Sequence, residues 1–266
     1  MVDDQVIRRG AARRLGWRMA LVLCALGIAG KAPADALPDT VARLKASVVG
    51  VGTLEHTRRP PAQLLGTGFV IGDGRHVLSN AHVVSVKLDK DKRESLAVFV
   101  GSGPKPALRL ATKVAEDLEH DLVLLKISEE PLTALPLGDS AAVREGETYA
   151  FTGFPIGAVL GLYPVTHRGM IAAITPIAVP LNTASQLTPD LLRRLQANYS
   201  VFQLDATAYP GNSGSPLYDM ATGTVVGIMN KVFVQETKEN VLKTPSGISY
   251  AIPINYAKEL LNKAGL

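Results

Sequence analysis

From Leu37 onward, short runs of Val, Ile and Leu alternate with clusters of Gly, Pro, Asp and Asn. Apolar runs of this length, each closed by turn residues, predict strands rather than helices. A first set falls at residues 47–54, 66–71, 76–79, 96–100, 107–114 and 122–126. A second falls at 147–152, 165–174, 201–204, 216–218, 225–231 and 248–251. Twelve strands in two groups of six, joined by a Pro- and Gly-bearing connection over 131–146, predict an all-β chain of two six-stranded antiparallel barrels. Helical spacing occurs at 189–197, with Thr188 as its N-cap, and at the C-terminal end over 255–262.

The first 36 residues follow another pattern. Arg8, Arg9, Arg13, Arg14 and Arg18 precede an apolar run from Met19 to Gly30, and Ala34-Asp35-Ala36 follows. Basic, apolar, then small is the order of a secretory signal peptide. The run is short for a bilayer span, so cleavage after Ala36 is expected in preference to a retained anchor, with no stable membrane span afterwards. Export implies a periplasmic or secreted protein.

Removing that segment changes the reading of charge. It carries six of the 28 Lys and Arg and three of the 24 Asp and Glu, and the formal charge falls from +4 to +1. No basic stripe with interleaved aromatics remains, which argues against nucleic-acid binding. Cys24, the only cysteine, is lost with the segment, so stability outside the cytoplasm must come from the core without disulfides.

Chemistry enters at Pro210-Gly211-Asn212-Ser213-Gly214-Ser215-Pro216. A serine between glycines can present its hydroxyl on a tight turn whose backbone N–H groups converge, as an acyl-transfer nucleophile and its oxyanion hole require. The same tetrapeptide also makes ordinary surface turns. A nucleophile needs a base, and the chain has five histidines: His56, His76, His82, His120 and His167. His82 stands out because it directly follows an apolar strand ending in Ser79-Asn80. Of the acidic residues Glu116, Asp117, Glu119 and Asp121, only Asp121 abuts an apolar strand where a carboxylate can be buried to orient an imidazole. The other three read as a solvated acidic turn.

The chain order His82, Asp121, Ser213 on an all-β protein is the order of chymotrypsin-like enzymes. The passages Gly66-Thr67-Gly68-Phe69-Val70-Ile71, Leu78-Ser79-Asn80-Ala81-His82-Val83-Val84, Asp121-Leu122-Val123-Leu124-Leu125-Lys126, Leu135-Pro136-Leu137-Gly138-Asp139-Ser140, Gly153-Phe154-Pro155-Ile156-Gly157, Gly211-Asn212-Ser213-Gly214 and Gly247-Ile248-Ser249-Tyr250-Ala251-Ile252-Pro253 occur in one order along the chain. In these it resembles a trypsin-like serine protease of the bacterial HtrA (Deg) type. The resemblance implies a protease domain over 37–266, with barrels at 37–130 and 147–254 and a terminal helix at 255–266; family members usually continue into PDZ domains, and as a departure none is expected here. It implies Ser213 as nucleophile, His82 as base, Asp121 as its orienter, and the N–H groups of Gly211 and Ser213 as the oxyanion hole. Neither a metal nor an organic cofactor is implied.

Departures from the family pattern carry information too. Ser215 stands where HtrA proteins commonly have glycine, and 177–198 is longer than the usual connection. Asn212 replaces the aspartate with which a new N-terminus pairs in trypsin-type zymogens, so activation by such trimming is not expected. By resemblance Thr207 lies at the base of the S1 pocket. A pocket bounded by Thr207, Ala208 and the strand residues Ile228, Met229 and Asn230 has no fixed charge and predicts small or medium apolar side chains at the cleaved position. The expected partners are protein or peptide substrates, and a homotrimer and a monomer both stay open. An alternative from the binding class, an exported chaperone or scaffold with weak or absent catalysis, shares these residues. A triad acting on an ester or a cell-wall crosslink is a third reading, but nothing here points to a sugar-binding surface.

Overall fold

The computed structural model describes residues 36–155, 162–176, 199–230 and 247–266. The N-terminal signal, the helix expected over 189–197 and the long connection that contains it lie outside the described residues.

The first barrel contains β1 (Val48–Leu54), β2 (Ala62–Ile71), β3 (His76–Asn80), β4 (Ser95–Val100), β5 (Ala107–Asp117) and β6 (Leu122–Ile127). It closes in the order β1-β2-β3-β6-β5-β4. The second contains β7 (Thr148–Gly153), β8 (Val165–Pro176), β9 (Ser200–Asp205), β10 (Pro216–Tyr218), β11 (Val225–Asn230) and β12 (Ile248–Pro253). It closes as β10-β11-β12-β9-β8-β7, and every strand pairing in both barrels is antiparallel. The two six-stranded barrels expected from the pattern of apolar runs are therefore present. Closure removes the free strand edges that an open sheet of this size would expose.

Three apolar clusters hold this arrangement. Val49, Val70, Val77, Val98, Val123 and Leu125 fill the first barrel, and Phe151, Ile171, Leu204, Leu217, Val226 and Met229 fill the second. The largest cluster joins them: Phe69, Leu78 and Leu124 from one barrel meet Phe154, Tyr218 and Ile228 from the other. Strands buried on both faces, such as β11, face a barrel interior on one side and the junction on the other. That is why their sequence reads as a continuous apolar run instead of alternating.

The C-terminal helix, α2 (Ile254–Lys263), buries Ile254, Ala257, Leu260 and Leu261 on one stripe. It extends the expected helix by one residue at each end. A helix that the apolar pattern does not predict, α1 (Leu37–Leu44), precedes β1. Its place is set by tertiary contacts: Thr40 Oγ1 donates to the Ala221 carbonyl at 3.0 Å, and Arg43 donates to the Thr222 carbonyl at 3.0 Å. Among the described residues no helix is long and apolar enough to cross a membrane.

Candidate active site

His82 lies on a single 3-10 turn, Ala81–Val84, directly after β3. Asp121 lies at the same end of the β3–β6 strand pair, just before β6, where Leu122 pairs with Asn80. Asp121 Oδ2 is 2.6 Å from His82 Nδ1, and Asp121 Oδ1 accepts the backbone N–H of His82 at 2.9 Å. The carboxylate thus grips the histidine by both ring and backbone. It also fixes the tautomer: an ionised carboxylate can only accept, so Nδ1 carries hydrogen and Nε2 is left as the basic nitrogen.

Three further bonds fasten Asp121 itself. Its carbonyl accepts Ala81 N–H at 3.0 Å and Asn80 Nδ2 at 3.1 Å, while Asn230 Nδ2 from the second barrel donates to Oδ2 at 2.9 Å. Asp121 is 1% exposed. An anion so deeply buried needs hydrogen-bond donors on all its oxygens, and here it has them.

A His–Asp pair alone would not single out this site. His76 Nδ1 lies 2.8 Å from Asp73, and His120 Nδ1 lies 2.7 Å from Asp117. Both of those are local pairs three residues apart, whereas His82 and Asp121 are separated by 39 positions and meet only through the fold. His167 has no carboxylate partner among the described residues; its ring stacks on Phe151 with centroids 4.9 Å apart, and burial holds its pKa below the ordinary imidazole value.

The Ser213 turn comes from the second barrel and is pressed onto β2 and β3 of the first. Thr67 N–H donates to the Ser213 carbonyl at 2.9 Å, and Thr67 Oγ1 donates to the Gly211 carbonyl at 2.7 Å while accepting Phe154 N–H at 3.0 Å. Gly214 has φ +86°, and a β-carbon there would overlap the Thr67 carbonyl oxygen. Only glycine satisfies both conditions. Gly66 is similarly confined, since a β-carbon on it would lie 2.8 Å from Val83 Cγ2 and 3.0 Å from Ser213 O. That near-contact sets the Ser213 backbone against the residue that follows His82.

Ser213 and Asn212 are buried, at 5% and 1% exposure. No hydrogen bond joins Ser213 Oγ to His82 among the described residues, and the N–H groups of Gly211 and Ser213 donate to no protein acceptor there. Among the described residues the buried Asn212 side chain has no hydrogen-bond partner. On the far side of the turn, Gly214 N–H donates to Met229 O and Met229 N–H to Ser215 O, each at 2.9 Å. The serine turn is thereby zipped to β11, the strand whose last residue, Asn230, holds Asp121.

Of the residues expected to line the S1 pocket, Ala208 and Met229 share one apolar cluster, and Thr207 is partly buried beside Ala208. Ile228 belongs instead to the cluster between the barrels. Asn230 turns its carboxamide to Asp121. The positioning roles of two residues escaped the sequence reading, which placed Thr67 only within the strand 66–71 and Asn230 only beside the S1 pocket, although a polar residue ending the buried run Val225–Asn230 was a usable signal. Asp117 differs from the solvated residue expected: its carboxylate accepts the N–H of Glu119 and His120 at 3.0 and 3.1 Å and caps the β5–β6 turn.

Among the described residues no group of three His, Cys, Asp or Glu side chains could hold a metal ion.

The family described as "Trypsin-like peptidase domain" matches residues 66–228, more than half of the chain. Among curated relatives, a probable periplasmic serine endoprotease DegP-like of Hahella chejuensis is 31% identical over 217 residues, which cover 78% of this chain and 37% of that protein. The mitochondrial serine protease HTRA2 of Bos taurus is 32% identical over 199 residues, covering 74% and 36%. The chain therefore spans little over a third of the length of these relatives. The solved structure of the HtrA-type protease AlgW with tripeptide overlays with a TM-score of 0.60 at 24% identity, covering 85% of this chain and 62% of that one, and shows the shared fold. Sequence match and double-barrel architecture agree: the chain belongs to the trypsin-like peptidase family and is similar to its DegP-like, HtrA-type members.

Proposed function

We propose that the protein is a serine endopeptidase that hydrolyses peptide bonds of exported or misfolded proteins through an acyl-enzyme. The observation that carries this reading is the buried Asp121–His82 pair at 2.6 Å, long-range in sequence and bonded across the barrel junction to β11, the strand that also holds the Ser213 turn. Ser213 Oγ attacks the substrate carbonyl carbon, and its proton passes to His82 Nε2. Asp121 stabilises the imidazolium so formed. The N–H groups of Gly211 and Ser213, with no acceptor among the described residues, stabilise the oxyanion; removing one such donor typically costs about a hundredfold to a thousandfold in rate. The C–N bond then breaks as His82 protonates the leaving amine, and water, deprotonated by the same nitrogen, releases the acyl group and restores Ser213.

For substrate choice, Thr207, Ala208 and the backbone of residues 228–230 bound an uncharged S1 pocket suited to small or medium apolar side chains. Export to the periplasm or beyond fits the order of the first 36 residues and the periplasmic naming of relatives. A fluorophosphonate probe is expected to label the purified wild type and not Ser213→Ala, with cleavage of a denatured protein lost in parallel. Equal labelling and equal cleavage by both would overturn the proposal. Labelling of neither would favour the exported scaffold.

A further inference from the structure

Asp121 has φ +54°, in the left-handed region that a non-glycine residue occupies only at a steric cost. Such a conformation persists only where its surroundings over-determine it. On its C-terminal side the constraint is β6, with Leu122 paired to both Asn80 and Asp117. On its N-terminal side it is joined to His120.

His120 is clamped from three elements. Asp117 holds its ring at 2.7 Å through Nδ1 and its backbone N–H at 3.1 Å. Tyr256 of α2 stacks on the ring, centroids 4.2 Å apart and planes 16° from parallel. Tyr199, just ahead of β9, meets it edge-on at 4.6 Å. The two tyrosines pack on each other at 5.5 Å, and Tyr256 OH accepts Ser200 N–H at 3.3 Å. A turn of the first barrel is thus seated in an aromatic socket built from the second barrel and the C-terminal helix. Only 12% of the His120 side chain and 15% of the Asp117 side chain are exposed. The local pair His76–Asp73 is unlike this, because its carboxylate side chain is 53% exposed.

We propose that His120 is a positioning residue for the Asp121–His82 pair: seated between Tyr199 and Tyr256 and tied to Asp117, it sets the backbone from which Asp121 reaches His82. The role goes beyond the serine-protease reading and rests on it. Asn230 fixes the Asp121 carboxylate from the second barrel, and the His120 socket fixes the Asp121 backbone from the same side, so the two barrels meet at both ends of one residue. Burial pushes the Asp117 carboxyl up, but the His120 ring and N–H outweigh it and hold it below the usual carboxylate range. The Asp117 carboxylate is accordingly ionised at neutral pH, where it can accept from the His120 ring and backbone.

The test compares wild type, His120→Ala, His120→Phe and Tyr256→Leu in the full chain. Four quantities are read: kcat and KM on a peptide, the low-field proton resonance of His82 Nδ1–H, and the melting temperature. His120→Ala is expected to lower kcat by about tenfold or more with KM nearly unchanged, and to weaken the low-field resonance. His120→Phe, which keeps a flat ring for the socket, is expected to recover most of both. Wild-type kcat and an unchanged resonance in folded His120→Ala would overturn the proposal. If that variant does not fold, Tyr256→Leu decides by the same two readouts. A wild type that neither hydrolyses peptide nor takes the fluorophosphonate probe would sink the protease reading, and the resonance would still test the clasp.

Discussion

Asn230 Nδ2 donates to Asp121 Oδ2 at 2.9 Å, across 109 positions of sequence and from one barrel to the other. Because β11 also pairs with the strand that follows Ser213, the bond links the orientation of the histidine's carboxylate to the seat of the serine. Losing a hydrogen bond to a buried charge costs about 1.5–3 kcal/mol, which corresponds to a rate loss of at least about tenfold.

Asn230→Ala is therefore expected to lower kcat/KM on a peptide by about tenfold or more. Asn230→Asp should be worse, since a second carboxylate beside Asp121 favours protonation of one of them. Steady-state kinetics on the three proteins would check the order, and equal activity of all three would remove the link.

Thr67 Oγ1 serves the Gly211 carbonyl and the Phe154 N–H at once. Thr67→Val keeps the shape and strands both groups. It is expected to cost roughly 1–3 kcal/mol in urea unfolding and to lower kcat, while Thr67→Ser retains both. A valine variant as stable and active as wild type would show that the loop does not depend on this hydroxyl.

Gly214→Ala combines a strained φ of +86° with overlap on the Thr67 carbonyl. The expected outcome is a loss of about 2 kcal/mol or more and loss of probe labelling at Ser213. Thermal melting and labelling measured together would check it.

His167 is partly buried against Phe151 with its pKa held below 6.5 by burial. The unfolded chain then binds this proton more readily than the folded one, so stability is greatest above about pH 6.5 and declines as the pH falls below it. His167→Phe, with no proton to take up, should show a smaller drop in melting temperature between about pH 7.5 and about pH 5. Parallel curves for the two proteins would contradict the assignment.

All twelve strands were legible because strand formation leaves local marks: short apolar or alternating runs, closed by Gly, Pro, Asn or Asp. α1 left no such mark. Leu37, Val41 and Leu44 are too few for an independent helix signal, and its position depends on Thr40 and Arg43 reaching the turn before β11. Asp117 was misjudged for a related reason: an acidic residue among acidic neighbours reads as solvated unless the turn it caps is known.

By itself the sequence determined the two-barrel architecture and singled out His82, Asp121 and Ser213 as the candidate triad, because turn chemistry, strand period and chain order are written in neighbouring positions. The tertiary structure alone decided that Asn230 faces Asp121, that Thr67 carries the Gly211 turn, and that Asp121 adopts a left-handed backbone beside an aromatic socket. Those relations join groups up to 144 residues apart. Their partners are chosen by barrel closure and burial, which demand a donor for every buried acceptor but leave no local pattern saying which residue will supply it.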